Sequence, residues 1–230
     1  MRVFSVLTLF PDFFDGPFRV SMLKRAIENK LVKVEVNNLR DWSRDKHRKT
    51  DAHPYGGGAG MVMTPQPLHD AIRAMKKKYR TAKVVVFSAK GRLMDQAVLR
   101  ELSRHKRFIL VAGHYEGIDE RIADYDADFE LSMGNYVVTG GEYACLVFID
   151  GITRLLKGVL HNEASHQDES FEDGLLEYDQ YTRPEVFMNR RVPEVLLSGD
   201  HAKIRAWRKE SRDKNTLENR PDLLCKGETP

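Results

Sequence analysis

Cysteine is scarce in this 230-residue chain. The two present, Cys145 and Cys225, lie far apart and outside any Cys-x-x-Cys pair, so no disulfide framework or zinc site is encoded. His161 and His166 stand five residues apart, a poor helical spacing for shared ligation, and no metal ligand set is expected. No apolar run approaches membrane-spanning length, so no membrane partner is expected. The opening Arg2-Val3-Phe4-Ser5-Val6-Leu7 is strand-like, too short for a signal-peptide core and without a cleavage pattern, which makes a reducing cytoplasm the expected location. An excess of one charge is missing too: the formal net charge is +3, compatible with nucleic acid but too mild to demand it.

Phosphate-cradle spacings are also lacking. The densest glycine segment, Tyr55-Gly56-Gly57-Gly58-Ala59-Gly60, is followed by Met61 and Val62, where a Walker loop needs Lys and Ser or Thr. The G-x-G-x-x-G spacing of a dinucleotide fold fails as well. Nucleoside triphosphates and dinucleotides are thus disfavoured ligands.

What is present is an alternation of β-branched runs and helical patterns. Strands are expected near 2–9, 32–37, 82–87, 108–112 and 128–132, and helices near 18–29, 65–79, 94–105, 118–125 and 141–156. The alternation predicts α/β architecture: a parallel sheet with helices on both faces. Thr64-Pro65 reads as an N-cap and first helical position, with Lys76-Lys77-Lys78 at that helix's negative end. The expected domains are 1–160, the α/β domain; 161–177, a polar flexible linker without periodicity; and 178–230, a small basic helical domain. In the last, Asp200 caps a helix from His201 towards Asp213, with Arg205, Arg208 and Arg212 on one face.

Three glycine-bearing turns follow three of these strands: Ser88 to Gly91, Gly113 to Gly117, and Ser132 to Gly141. Ligands of parallel sheets lodge beyond strand carboxyl ends, so the three turns read as walls of one crevice. Glu116, Asp119 and Glu120 make the middle turn acidic, which argues against phosphate and for a ligand carrying positive charge; Asp119 and Glu120 also complement a helix dipole. Lys46, His47, Arg48 and Lys49 suit an RNA backbone, while the interleaved Asp41, Asp45 and Asp51 suit an ordinary solvated loop. Arg154 ends its helix, either as a charge complementing the dipole or as an electrophilic stabiliser.

These residues bear a resemblance that covers nearly the whole chain. Leu39-Arg40-Asp41 with Asp45-Lys46-His47-Arg48, Pro54 to Gly60, Gly113-His114-Tyr115-Glu116-Gly117-Ile118-Asp119-Glu120-Arg121, Gly134 to Val137, Gly140-Gly141-Glu142, Tyr181-Thr182-Arg183-Pro184 and Leu197 to His201 recur in this order. In them the chain resembles the bacterial tRNA (guanine-37-N1)-methyltransferases, homodimeric S-adenosylmethionine-dependent enzymes of the knotted SPOUT class. The resemblance implies a trefoil knot towards the C-terminal side of the main domain, where ordinary connection rules make a knot improbable. It implies that Ser88, Gly113, Glu116, Ser132, Met133, Gly134, Asn135, Tyr136, Val137, Val138, Gly140 and Gly141 line the methyl-donor pocket. It also implies that donor and guanine sites are shared across the dimer.

For the substrate, a tRNA with guanines at positions 36 and 37, the expected contacts are Arg44, Lys46, His47, Arg48, Ser165, Ser198, His201, Arg205 and Arg208. The resemblance gives Arg154 the role of stabilising charge on guanine O6. The base in the family is an aspartate before Ser-Phe; here Glu169 holds that place before Ser170-Phe171, with Asp168 one position earlier as the second candidate. Glu169 is favoured, because a linker absorbs one methylene more readily than a one-residue shift. Ala89-Lys90 replaces a common Pro-Gln, and Asn135 a common Asp. Residue types do not encode whether Mg²⁺ takes part. Two further readings stay open: a non-catalytic RNA- or donor-binding module, and a knotted methyltransferase acting on a ribose hydroxyl.

Overall fold

A computed structural model of the chain describes residues 1–159 and 169–224. The chain forms two compact units, Met1–His161 and Asn162–Pro230.

The first unit is built on five parallel strands: β1 (Arg2–Thr8), β2 (Val32–Asn38), β5 (Lys83–Leu93), β6 (Arg107–Val111) and β7 (Phe129–Ser132), in the order β2-β1-β6-β5-β7. A short antiparallel pair, β3 (Asp51–Ala52) and β4 (Val62–Met63), lies in the long connection between β2 and β5. Because side chains alternate along a strand, each strand feeds two cores. Phe4, Val6, Phe108 and Leu110 face one side; Leu7, Ile109 and Val111 face the other. On the first side pack α1 (Ser21–Glu28), α3 (Gln96–Leu102) and α5 (Glu142–Arg154), which bury Ala26, Leu99, Phe148 and Ile152. On the second pack α2 (Pro65–Lys78) and α4 (Glu120–Tyr125), through Leu68, Ile72 and Ile122. Both faces of the sheet are therefore covered, as near-continuous apolar strands require.

Three local expectations need correction. Ser88 to Gly91 does not end its strand: β5 continues to Leu93 after a register break, with Phe87 and Arg92 both opposite Leu131. Thr64 occupies the N-cap of α2 but does not cap it with its hydroxyl, which donates instead to the Thr50 carbonyl at 3.1 Å. The 94–105 helix is trimmed to α3, because Asp95 accepts from Val98 N–H at 2.8 Å and so fixes the start at Gln96, two residues in.

The second unit contains α6 (Glu194–Leu197), α7 (His201–Asn219) and a two-residue hairpin of β8 (Val186–Phe187) and β9 (Arg190–Arg191). Asp200 caps α7 by accepting from Ala202 and Lys203 N–H at 3.0 and 3.1 Å, and the helix runs past Asp213 to Asn219. Residues 173–179 are strapped along it. Leu176 N–H donates to Thr216 Oγ1 at 3.0 Å, Asp179 N–H donates to Ser211 Oγ at 3.0 Å, and Arg212 pairs with Asp173.

Candidate methyl-donor crevice and basic surfaces

The loops after β6 and β7 meet β5 at its register break and border a half-open crevice of about 200 Å³ beyond the sheet. Of the residues expected to hold the donor, Ser88, Gly113, Glu116, Ser132, Met133, Gly134, Tyr136, Val137, Val138, Gly140 and Gly141 all line it. Asn135 is exposed and lies outside the lining.

Two contacts set the shape of this cavity. Gly141 N–H donates to the Gly113 carbonyl at 2.7 Å, and a Cβ on Gly141 would lie 2.6 Å from Gly113 N, so only glycine allows the loops to touch. On the outer side, Glu116 N–H donates to the Met61 carbonyl at 3.0 Å, and the Glu116 side chain rests on Gly60, where a Cβ would meet Oε1 at 2.4 Å. The glycine segment is thus a platform for Glu116 and its turn.

The lining chemistry suits a cationic ligand with a flat apolar part. Phe87, Ile118, Leu131, Val137 and Val138 supply apolar surface, Glu116 is the one carboxylate, and no Lys or Arg appears among the lining residues. His114 also lines the cavity, and its Nδ1 is buried without a hydrogen-bond partner among the described residues. An adenosyl group with a positively charged sulfur fits this set; a phosphate does not.

Beneath the crevice, α5 begins with a buried carboxylate. Glu142 accepts from Thr8 Oγ1 at 2.7 Å, and Thr8 Oγ1 in turn accepts from Phe10 N–H at 2.9 Å. The positive end of the α5 dipole favours the charge there. At the other end of α5, Arg154 is half-buried one turn beyond Asp150. Burial pushes the Asp150 carboxyl above its usual range, and Arg154 acts in the opposite direction. Ser88 donates to Glu130 Oε1 at 2.6 Å, while Lys90 pairs with Glu120.

Asp168 and Ser165, like His161 and His166, lie outside the described residues. Glu169 opens a tight turn in the second unit: its carbonyl accepts from Glu172 N–H at 3.3 Å, and Phe171 N–H donates to the Leu175 carbonyl at 2.6 Å. No set of three or more His, Cys, Asp or Glu suited to a metal occurs among the described residues.

In the basic loop, Lys46, His47 and Arg48 are exposed, and the acids there shape it rather than merely dilute its charge. Asp45 Oδ1 accepts from His47 and Lys49 N–H at 2.8 and 3.2 Å, and the Lys49 and His47 amides hold its carboxyl below the usual range. Arg44 is committed to Asp70 at 2.7 Å. In the second unit His201 and Arg205 are exposed, Ser198 donates to the Val195 carbonyl at 2.7 Å, and the Arg208 guanidinium lies 4.6 Å from the Tyr178 ring centre.

Sequence reasoning missed Phe87, Ile118, Leu131 and Ala144, which line the crevice from outside the three turns. Ile118 had a signal, since it directly follows Gly117 at the end of the middle turn. Leu131 had none, being indistinguishable from strand core.

Fold and crevice together define a parallel α/β protein with a ligand site at the strand carboxyl ends. Residues 1–226 match the family described as tRNA (Guanine-1)-methyltransferase TrmD. A Caldanaerobacter subterraneus subsp. tengcongensis protein named tRNA (guanine-N(1)-)-methyltransferase is 53% identical over 224 residues, covering 97% of this chain and 92% of that one. Relatives of the same name from Dehalococcoides mccartyi and Clostridium perfringens are 49% and 51% identical, each covering 96% of this chain and 90% and 93% of their own. The chain belongs to the tRNA (Guanine-1)-methyltransferase family.

Proposed function

We propose that this chain transfers the methyl group of S-adenosylmethionine to N1 of guanosine 37 in tRNA, beside the anticodon. The observation that carries the reading is the crevice, whose expected donor residues converge around one carboxylate and no basic side chain, in a chain matched almost end to end by this family. Bound there, S-adenosylmethionine supplies an electrophilic methyl on positive sulfur. The strand-end loops offer backbone groups to its adenine, and Glu116 answers its charge.

Guanine N1 carries a proton that must leave as the new carbon–nitrogen bond forms. Glu169, or Asp168 beside it, accepts that proton; the carbon–sulfur bond breaks with its electron pair going to sulfur. Negative charge moving to O6 is met by the Arg154 guanidinium, a contact that strengthens in the transition state.

The reading includes a trefoil knot and a homodimer in the cytoplasm. The broken register of β5 against β7 and the Gly141 contact with the β6 loop support a tightly threaded region. Val137, Tyr143 and Val147 are 93, 48 and 46% exposed, an apolar face on and before α5 that a second copy would cover.

The test is incubation with methyl-labelled donor and an unmodified tRNA bearing guanines at 36 and 37. Label on N1 of guanosine 37 is expected; label on a ribose or another base, or none, overturns the proposal. Repeating the assay with a chelator decides the part of Mg²⁺.

A further inference from the structure

Helix α2 carries a stripe at four- and three-residue spacing: Gln66, Asp70, Arg73 and Lys77. Its first half is already a structural joint. Gln66 Nε2 donates to the Trp42 carbonyl at 2.8 Å and to Asp70 Oδ2 at 2.7 Å, and Arg44 donates to the same Asp70 oxygen at 2.7 Å. The basic loop that follows Trp42 is therefore fastened to this face of the helix.

The second half of the stripe changes sign. Arg73, Lys76, Lys77 and Arg80 line one open hollow, with Arg80 just past the helix end. Lys76 is partly answered, its Nζ lying 3.9 Å from Asp128 and 3.5 Å from the Asp126 carbonyl. Arg73, Lys77 and Arg80 are exposed and have no ion pair or hydrogen bond among the described residues. Arg73 to Lys77 spans about 6 Å at 1.5 Å per residue, and Arg80 extends the row past the helix end. Exposed cations in a row, starting at a loop of the same sign, form a linear positive track rather than a point site.

We propose that this α2 track is a second contact for the tRNA phosphate backbone, continuous with the Arg44–Lys49 loop. The proposal rests on tRNA being the substrate. A phosphodiester backbone fits because it presents evenly spaced negative charge along a line, which an isolated anion or a single acidic side chain does not.

The test is tRNA binding against salt for wild type and the Arg73→Ala/Lys77→Ala/Arg80→Ala variant, with donor-analogue binding as the control for folding. Each lost phosphate contact lowers the slope of log affinity against log salt by about 0.7 to 0.9, so the triple variant should lose about 2 to 3 units. Its single-turnover methylation rate at saturating tRNA should stay within about twofold. Lys77→Glu should weaken tRNA binding more than Lys77→Ala, and Lys77→Arg should leave it unchanged. An unchanged slope in the triple variant overturns the α2 track while leaving the methyltransferase reading intact. Absence of tRNA binding by the wild-type protein would overturn both.

Discussion

Gly141 donates its N–H to the Gly113 carbonyl at 2.7 Å, and this one bond ties the loop after β7 to the loop after β6 across the floor of the crevice. The two glycines are not equivalent. A Cβ on Gly141 would meet Gly113 N at 2.6 Å and Ala112 Cα at 2.9 Å, all backbone, whereas a Cβ on Gly113 would meet only ordinary contacts at 3.6 Å. Gly141→Ala should therefore push the loops apart and weaken donor binding at least tenfold, while Gly113→Ala should cost severalfold less. Calorimetric titration with S-adenosylmethionine checks this, and equal losses would show that the loop contact does not set the cavity's shape.

Thr8 and Glu142 make a second long-range prediction. The Thr8 hydroxyl accepts from Phe10 N–H and donates to the buried Glu142 carboxylate at 2.7 Å. Thr8→Val keeps the shape but removes both bonds, leaving a buried carboxylate without this donor. A loss of about 1–3 kcal/mol in urea unfolding is expected. A change under about 0.5 kcal/mol would mean that the α5 dipole alone holds the charge.

Glu35, on β2, makes the pH dependence testable. Burial would raise its pKa, but Lys33 at 2.7 Å, Lys78 at 2.9 Å and the Tyr79 hydroxyl at 2.9 Å outweigh this and lower it to about 2. A depressed folded-state pKa contributes stability above the unfolded value of 4.5, lost as pH falls through about 2. Both lysines are about half exposed, so the contribution is modest. Glu35→Gln should destabilise by about 1 kcal/mol at pH 7, and the gap from wild type should close between pH 4.5 and 2. A gap that stays constant across that window would remove ionisation as its cause.

Much of this could be read from residue order because strand and helix periods are local. The five sheet strands fall where β-branched runs predict, and glycine with acidic residues at strand ends marks the crevice. What stayed hidden depends on partners distant in sequence. Nothing near Thr8 announces Glu142, 134 residues on. The extension of β5 past Gly91 depends on Leu131, and a glycine in such a run reads as a stop unless the neighbouring strand is known. The α2 track was obscured differently: Lys76-Lys77-Lys78 has a sufficient local explanation in the helix dipole, which conceals that Lys78 turns to Glu35 while Lys77 stays exposed.

The choice between neighbouring carboxylates is the sharpest chemical test. Glu169 holds the position before Ser170-Phe171 and begins a turn closed by Ser170 Oγ accepting from Glu177 N–H at 2.9 Å, so its backbone is anchored within the second unit. A base needs a defined approach to N1 when tRNA is bound, and an anchored residue provides one. Glu169→Gln should lower the single-turnover rate about a hundredfold or more with tRNA affinity kept, and Asp168→Asn should change it less than threefold. If the Arg154 guanidinium acts on O6 as proposed, Arg154→Ala should cost a similar factor in rate without loss of donor affinity. If Asp168→Asn causes the hundredfold loss instead, the proton leaves through Asp168, and Glu169 merely holds the turn.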